Sequence, residues 1–397
     1  MNHERFAGSP RNSVGVELEL QILNSGTFAL QGSAADVLAA VPNEYRRAIK
    51  PEYYDCCIEV ATDVCRDVDE AGRDLRGKLA AADWAARGCG VLLGWGGSHP
   101  FSHWGESRVV PSPRYAELHR RYRDTLQRQL TFGLHVHVGV PDGDAAARVC
   151  TGIVEHLPAL LALSADSPFW CGRCTGLHST RIEVMEASPS SGPPPRLRDW
   201  ADYRRLVDRL TSTGLIDSPK ELWWDVRPSP ENGTVEVRIC DMPPDLETAL
   251  TLAALIQCLV ADLARRDEMP DEDACVAAAV RQNRWRAARY GMGAELVDVR
   301  TGRRASAASA VRGLAEGLRH VARELGCVEW IERAVAMTDG LNGAERQLAT
   351  YESSGDLVDV VRTRMIPGRP AGGSWVATPP KVAQTRLEAP AWARLTG

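Results

Sequence analysis

The segment from residue 14 to residue 23, VGVELELQIL, alternates apolar and polar residues with a period of two. This period is typical of a β-strand with one buried face, because successive side chains of a strand point to opposite faces. The apolar side chains would lie on the buried face, and Glu17 and Glu19 would share the other. Two carboxylates on one sheet surface constrain the fold strongly, because they repel each other unless cations or partners compensate their charge.

Three further predicted strands carry ionisable side chains in the same way. They are residues 56–62 with Glu59, residues 134–140 with His135 and His137, and residues 234–240 with Glu236 and Arg238. A spacing of two places both members of a pair on one side of a strand. Carboxylates with an imidazole suit Mg²⁺, which prefers oxygen ligands and usually accompanies substrate phosphates. Each pair alone is also consistent with charges that simply point to water, but four such strands in one chain favour a shared metal site.

Helical patterns surround these strands and dominate the end of the chain. Predicted helices cover residues 33–41, 68–87, 144–163, 199–213, 246–266, 271–290, 308–325 and 344–351. Further predicted strands cover residues 91–97, 180–186 and 222–227. The order of elements predicts an α+β fold. We expect a mainly antiparallel, curved, half-barrel-like sheet flanked by helices, with a helical C-terminal third.

No segment of the sequence is a convincing linker between two domains. We predict a single catalytic domain over residues 1–365. A flexible C-terminal tail is predicted over residues 366–397, because Gly and Pro concentrate in residues 367–380 and no strong periodicity follows.

The composition excludes several classes of protein. The chain has 397 residues and a net charge of −5, whereas a nucleic-acid-binding protein would show a clustered basic excess. Eleven cysteines without a repeating framework favour reduced thiols and a cytoplasmic location. The segment Met1–Pro10 has no apolar stretch typical of a signal peptide. No window approaches 18 uninterrupted apolar residues, so we predict no membrane association.

Two other patterns indicate cofactor sites only weakly. Cys171 and Cys174 have the spacing of half a zinc ribbon, but the sequence offers no second CxxC pair. The glycine-rich run at residues 94–97 lacks the GxGxxG spacing and the following helix of a dinucleotide site.

Seven segments together resemble a known family, the bacterial type 2 glutamate–cysteine ligase-like carboxylate–amine ligases of the glutamine synthetase-like superfamily. The resemblance covers about residues 12–300, and its segments are VGVELEL (14–20), IEVAT (58–62), GSHPFSHW (97–104), GLHVHVGVPDGD (133–144), STRIE (179–183), WWDVRPSPENGTVEVRICD (223–241) and NRWRAARYG (283–291). The first family motif usually reads GVEEE, whereas Leu18 takes the middle position here. Because Leu18 points to the opposite face, Glu17 and Glu19 are retained.

The resemblance implies an ATP- and Mg²⁺-dependent ligase. Such an enzyme activates a carboxylate, here a glutamate-like γ-carboxylate, as an acyl phosphate and transfers it to an amine, with release of ADP and phosphate. The implied metal ligands are Glu17, Glu19, Glu59, His137 and Glu236. Arg238 and Arg181 are the implied catalytic residues and would contact ATP at the transferred phosphoryl group, because an arginine fork fits phosphate in a bidentate manner.

Four further residues are candidates for substrate binding. Arg227 could bind a substrate carboxylate, or it could be a surface arginine at a strand end. His135 could contact the substrate, orient a metal ligand or be a core histidine. Ser98 and His99 lie in a loop that begins with two glycines, where the backbone can approach a ligand closely.

Asn283 and Arg286 are candidates for ATP binding. Their spacing of three places them on one face of the predicted helix. The resemblance implies that this face borders the active site, whereas the pattern alone is also typical of a solvated, arginine-rich helix surface.

Two other functions compete with the ligase. A metal-dependent amidohydrolase would also use a strand-borne His-x-His pair, but it would need further ligand histidines and would leave the glutamate pairs and Arg238 unused. A catalytically inactive nucleotide-binding member is disfavoured by intact acids at every metal position. We therefore expect small-molecule carboxylate and amine substrates, with the amine undetermined, no nucleic-acid or membrane partner, and an assembly state that could be a homo-oligomer.

Overall fold

Six of the predicted strands and the short strand β2 form one seven-stranded antiparallel sheet in a computed structural model, which describes residues 6–266, 274–298 and 300–366. The strands of the described residues are β1 (Val14–Asn24), β2 (Ile49–Pro51), β3 (Cys57–Ala61), β4 (Val91–Gly94), β5 (Leu134–Gly139), β6 (Phe169–Trp170), β7 (Arg173–Cys174), β8 (Val226–Ser229), β9 (Thr234–Val237), β10 (Glu295–Asp298) and β11 (Arg303–Ser306). The sheet has the order β2-β3-β1-β5-β9-β8, and β4 pairs with the end of β1. It is open, and the remaining strands form two separate hairpins, β6–β7 and β10–β11.

The register of the sheet brings the ionisable side chains together. Directly opposed residues are Glu17 and His135, Glu19 and Glu59, His137 and Glu236, Arg227 and Glu236, and Lys50 and Glu59. Opposed side chains in an antiparallel pair lie on the same face of the sheet. One face therefore collects most of the sequence-predicted site residues.

The helices complete the fold around this sheet. Those of the described residues are α1 (Ala34–Ala40), α2 (Val68–Gly88), α3 (Pro113–Gln127), α4 (Gly143–Gly152), α5 (Leu157–Ser164), α6 (Thr180–Glu186), α7 (Trp200–Ser212), α8 (Leu246–Leu263), α9 (Ala274–Tyr290), α10 (Ala307–Leu325), α11 (Val328–Met337), α12 (Gly343–Ser354) and α13 (Leu357–Arg362). Helices α2, α4 and α8 contact the sheet, whose apolar face is part of the main hydrophobic core. Helix α8 has the length and composition of a membrane span, but 78% of it is buried inside the protein, as expected of a core helix.

The predicted fold class is confirmed, and most predicted elements agree with the structure. One element was wrong in kind: residues 180–186 form helix α6 rather than a strand. Alternation of apolar and polar residues suggested a strand there, but the side chain of Ser179 accepts a hydrogen bond from the backbone N–H of Ile182 and begins a helix instead.

Other differences concern the extent or existence of elements. The predicted strand at 91–97 ends at Gly94, and β8 begins only at Val226. Helix α3 was not predicted, because Leu118 and Leu126 are its only buried residues and form no regular apolar stripe. The predicted tail lies, from residue 367 onward, outside the described residues, so the division into a domain and a tail stays a prediction.

The buried face of β1 provides a test of this arrangement. Leu18 is fully buried in the core, and Leu18→Ala should lower the free energy of unfolding by about 2–5 kcal/mol, because the substitution leaves a cavity. Urea unfolding followed by tryptophan fluorescence measures the change. Trp84→Ala is the matched control, since Trp84 on α2 is 65% exposed and its loss should cost about 0.5 kcal/mol or less. Equal stability of the two variants would contradict the assignment of Leu18 to the core.

Candidate active site

A cavity of about 370 Å³ opens on the polar face of the sheet. Its floor is formed by six side chains, which we name the acid–histidine cluster: Glu17 and Glu19 of β1, Glu59 of β3, His135 and His137 of β5, and Glu236 of β9. Five of them were predicted from the spacing of two along their strands, and Glu59 was predicted as the lone charge of its strand. The structure therefore brings every proposed metal ligand to one cavity.

Glu17 lies between the two histidines. Its carboxylate oxygens are 3.4 Å from Nδ1 of His135 and 3.4 Å from Nε2 of His137. Burial alone would raise the pKa of Glu17, but the hydrogen bonds with both imidazoles lower it below its usual range. Glu17 is therefore held as a carboxylate, which is the form that binds a cation.

His135 is held in its neutral form, in which an imidazole can bind a metal ion. Burial and the nearby charge of Arg238 lower the pKa of His135 to about 4, so its imidazole is uncharged at neutral pH. Its Nε2 atom is buried and finds no hydrogen-bond partner among the described residues, while a Glu19 oxygen lies 3.7 Å away. Ligand atoms of Glu17, His135 and Glu236 lie within 4.8 Å of one another, close enough to hold one metal ion.

Two further carboxylates, Glu19 and Glu59, are held less favourably. Burial raises the pKa of Glu19, which the charges of Arg181 and Arg238 oppose. Burial and the neighbouring charges of Glu17 and Glu52 raise the pKa of Glu59 well above its usual value. Lys50 is the nearest cation to Glu59, with Nζ 3.7 Å from a carboxylate oxygen. Crowded acids of this kind need additional positive charge to be ionised together.

Glu52 lines the same cavity but was not predicted as a site residue. Burial, followed by the charge of Glu19, raises its pKa. The rule that found the other acids applies here too, because Glu52 lies two residues after Lys50, next to the short strand β2. Pro51 between them and the brevity of β2 hid the pattern.

Glu236 lies between two arginines. Arg227 donates to it through Nε at 2.7 Å and Nη2 at 3.2 Å, and Arg238 donates to its Oε1 atom. Burial alone would raise the pKa of Glu236, but both guanidinium groups hold it well below its usual value. Arg238 thus forms a salt bridge with Glu236 and also lines the cavity. Arg227 also donates to the carbonyl of Leu222 at 2.9 Å, which fixes its orientation.

A second cavity of about 130 Å³ adjoins the first and is lined by Arg181. Glu19, Glu52, His135 and Arg238 are among the residues that line both cavities. The guanidinium of Arg181 donates to the carbonyls of Arg238 at 3.2 Å and of Ile239 at 3.4 Å. The two arginines are thus fixed next to each other where the cavities meet.

Four predicted residues lie elsewhere. Ser98 donates to the carbonyl of Phe169 at 2.7 Å, and Nε2 of His99 lies 2.9 Å from the carbonyl of Phe28. Burial lowers the pKa of His99 to about 4. Among the described side chains, these two line neither cavity, so their loop is held by internal bonds rather than open to a substrate.

Asn283 and Arg286 attach the β10–β11 hairpin to α9. Asn283 exchanges two hydrogen bonds with the backbone of Val297, at 2.8 and 3.0 Å, and Arg286 donates to the carbonyl of Glu295 at 3.0 Å. Neither residue lines one of the two described cavities. The structure therefore does not bring them to the acid–histidine cluster.

Comparison with known sequences identifies relatives over most of the chain. The sequence matches the profile of the glutamate–cysteine ligase family 2 over residues 13–363. A protein of Gloeobacter violaceus with the provisional name glutamate–cysteine ligase 2 is 39% identical over 359 residues, covering 90% of this chain and 96% of its own length. A protein of Rubrobacter xylanophilus with the provisional name glutamate–cysteine ligase 2-1 is 36% identical over 371 residues, covering 92% and 96%.

Solved structures share the fold at low sequence identity. The glutamate–cysteine ligase of Francisella tularensis, solved in complex with AMP, has a TM-score of 0.65 at 13% identity, covering 90% of this chain and 89% of its own. A bifunctional glutathione synthetase from Pasteurella multocida has a TM-score of 0.67 at 15% identity, covering 88% and 51%.

These findings confirm the resemblance predicted from the seven sequence segments. The family match and the relatives named above do not support the amidohydrolase alternative, and the prediction of a ligase is confirmed at the level of the family. With its profile match, its relatives and its sheet-borne cluster of acids and histidines, the chain belongs to the glutamate–cysteine ligase family 2.

Proposed function

We propose that the protein joins a glutamate-like γ-carboxylate to an amine in an ATP- and Mg²⁺-dependent reaction that proceeds through an acyl phosphate. The observation that supports this most directly is the acid–histidine cluster at the meeting point of two cavities, with Arg238 in the wall of both. Phosphoryl transfer between two bound substrates needs that combination of cation ligands and a fixed guanidinium.

The donor set fits Mg²⁺. Glu17, Glu19, Glu59 and Glu236 would supply the hard oxygen ligands, and His137 the imidazole. The raised pKa of Glu59 and the free Nε2 atom of His135 support a bound cation, because both indicate a cluster that the protein alone leaves incompletely compensated. When bound, Mg²⁺ would neutralise charge on the nucleotide phosphates.

The sizes of the cavities suggest which substrate each one binds. Of the two cavities, the one of about 370 Å³ is the better match in size for a nucleoside triphosphate, and the one of about 130 Å³ is the smaller. The smaller cavity has the scale of one amino acid, and Arg181 in its wall offers a guanidinium to a carboxylate. We therefore assign the nucleotide to the larger cavity and the carboxylate donor to the smaller one.

The reaction then follows from these positions. An oxygen of the donor carboxylate attacks the γ-phosphorus of ATP, the bond to ADP breaks, and an acyl phosphate forms. Arg238 and Arg181 would stabilise the negative charge that develops on the transferred phosphoryl group. The amine nitrogen next attacks the acyl carbon, phosphate leaves, and the nitrogen loses a proton to give the amide.

The identity of the donor as glutamate rests on the family, and the amine stays open. We place the reaction in the cytoplasm, because the eleven cysteines of the sequence follow no repeating disulfide framework. Assembly into a homo-oligomer stays a prediction.

The carboxylates of the cluster should be required for Mg²⁺-dependent nucleotide binding. Glu17→Gln and Glu59→Gln should each weaken the affinity for Mg²⁺–ATP by about 10-fold or more, because each removes one charged ligand. Calorimetry with Mg²⁺ and with EDTA separates the metal-dependent part. Glu247→Gln is the control, because Glu247 forms its ion pairs with Arg76 and Arg333 outside both cavities. Affinities equal to that control in both variants would contradict the metal assignment.

Arg238 should act on the transition state more than on nucleotide binding. Arg238→Lys keeps the charge but loses the fork, so kcat should fall by about 10²-fold while the KM for ATP changes little. Hydroxamate formation from L-glutamate and hydroxylamine measures the rate. Arg87→Lys is the control, since Arg87 pairs with Asp83 on α2. A near-normal kcat would make Arg238 a structural ion-pair partner of Glu236 and transfer its role to Arg181.

The acyl phosphate itself can be traced with oxygen isotopes. With ¹⁸O in the carboxylate of L-glutamate, one labelled atom should appear in inorganic phosphate for each amide formed, because the activated oxygen leaves with phosphorus. Mass spectrometry of phosphate and nucleotide measures the label. Label in AMP, or production of pyrophosphate, would show adenylation instead and would overturn the mechanism even if an amide were made.

A further inference from the structure

Asp241 is a buried carboxylate close to the proposed catalytic arginines, three residues after Arg238. Both of its oxygens accept hydrogen bonds. Oδ1 accepts from Oγ of Ser179 at 2.8 Å, and Oδ2 accepts from Oγ of Ser167 at 2.7 Å and from the backbone N–H of Asp166 at 2.9 Å. Among the described residues it lines neither cavity, so it is not placed to touch a substrate.

The two serines connect Asp241 to the helix that carries Arg181. Ser179 begins α6, where its Oγ accepts from the backbone N–H of Ile182. Oγ of Ser167 accepts from the backbone N–H of Arg181 at 3.0 Å. Each serine therefore donates to Asp241 and accepts from the first turn of α6, so the carboxylate fixes the backbone of Arg181.

The other end of Arg181 is tied to the chain segment of Asp241. Its guanidinium donates to the carbonyls of Arg238 and Ile239. Asp241 also forms an isolated antiparallel bridge with Gly133, whose backbone N–H donates to a carboxylate oxygen of Glu19. These contacts link the helix of Arg181 to the segment of Arg238 and Asp241 at both ends. Through Gly133 they also reach Glu19 of the acid–histidine cluster.

Gly97 is explained by the same carboxylate. A Cβ atom at this position would lie 2.7 Å from Cγ of Asp241, far inside van der Waals contact. The backbone N–H of Gly97 also donates to the carbonyl of Asp166 at 3.0 Å. Gly97, the last glycine of the run at residues 94–97, thus makes room for Asp241.

We infer that Asp241 is a positioning residue, which holds Arg181 against the segment of Arg238 at the distance that phosphoryl transfer requires. The inference rests on the proposed function, because it acts through the two arginines assigned to the phosphoryl group. A displacement of about 1 Å in such a group is enough to lower a rate by about 10²-fold.

A double-mutant cycle separates positioning from general stability. Asp241→Asn should lower kcat for hydroxamate formation from L-glutamate and hydroxylamine by about 10-fold or more, with little change in the KM for ATP. In an Arg181→Lys background the same substitution should have a much smaller effect, because its route to the reaction is already lost. An equal fold-loss in both backgrounds would overturn the inference.

Asp83→Asn is the matched control. Asp83 is another buried aspartate with a hydrogen-bonded partner, Arg87 at 2.8 Å, but it lies on α2. Its loss should lower the melting temperature and leave kcat nearly unchanged in both Arg181 backgrounds. If Asp241→Asn does not fold, Ser167→Ala removes one of the links between Asp241 and α6 and should show the same dependence on Arg181 with a smaller loss.

Crystal structures of the wild type and of Asp241→Asn, or of Ser167→Ala in its place, test the inference without turnover. We expect the first turn of α6 and the Arg181 guanidinium to shift away from the carbonyls of residues 238 and 239, while Glu17 and Glu236 stay in place. An unmoved Arg181 would overturn the inference. A wild type that forms no amide with any carboxylate would overturn the proposed function instead, and the position of Arg181 would still decide what Asp241 holds.

Discussion

The antiparallel register of β1 between β3 and β5 is the constraint on which the site depends. It places Glu17 opposite His135 and Glu19 opposite Glu59 while Leu18 enters the core. A slip of one residue would exchange the two faces of β1 and bury both carboxylates among apolar side chains. Burying unpaired charges costs several kcal/mol each, so the register and the chemistry are specified by the same hydrophobic pattern.

Charge is distributed unevenly across the cluster. Glu236 is fully compensated, because Arg227 and Arg238 both donate to it. Glu59 is paired with Lys50, whose charge lowers its pKa, but burial and the charges of neighbouring glutamates raise it. The protein therefore supplies its own cations at the β9 side of the site and leaves the β3 side to be balanced by a ligand. This asymmetry supports a phosphate near the arginines, beside the proposed metal ligands of β1, β3, β5 and β9.

Local periodicity accounts for what the sequence could predict. The acids and histidines of β1, β5 and β9 follow a spacing of two, which indicates the face of a strand before any tertiary contact is known. Arg181 was found through the family resemblance. Its segment was predicted as a strand but forms helix α6, because the cap that Ser179 provides outweighs the alternating pattern. Asp241 was missed since its partners lie 62 to 75 residues away in sequence, and such contacts leave no local signal. Ser98 and Asn283 show the converse, because a glycine-rich loop or an arginine-rich helix looks functional while its side chains bind the backbone.

The two faces of β1 place different physical demands on the side chains that they carry. Residues 16, 18 and 20 must fill the core, and several apolar side chains of similar volume can do so. Residues 17 and 19 must present a carboxylate to the cavity, and few side chains can do so. Exchange of one apolar side chain for another at residues 16, 18 or 20 would therefore leave the carboxylates of residues 17 and 19 in place. The departure from GVEEE at Leu18 falls on a core position, so the two carboxylates on the opposite face of β1 keep their places.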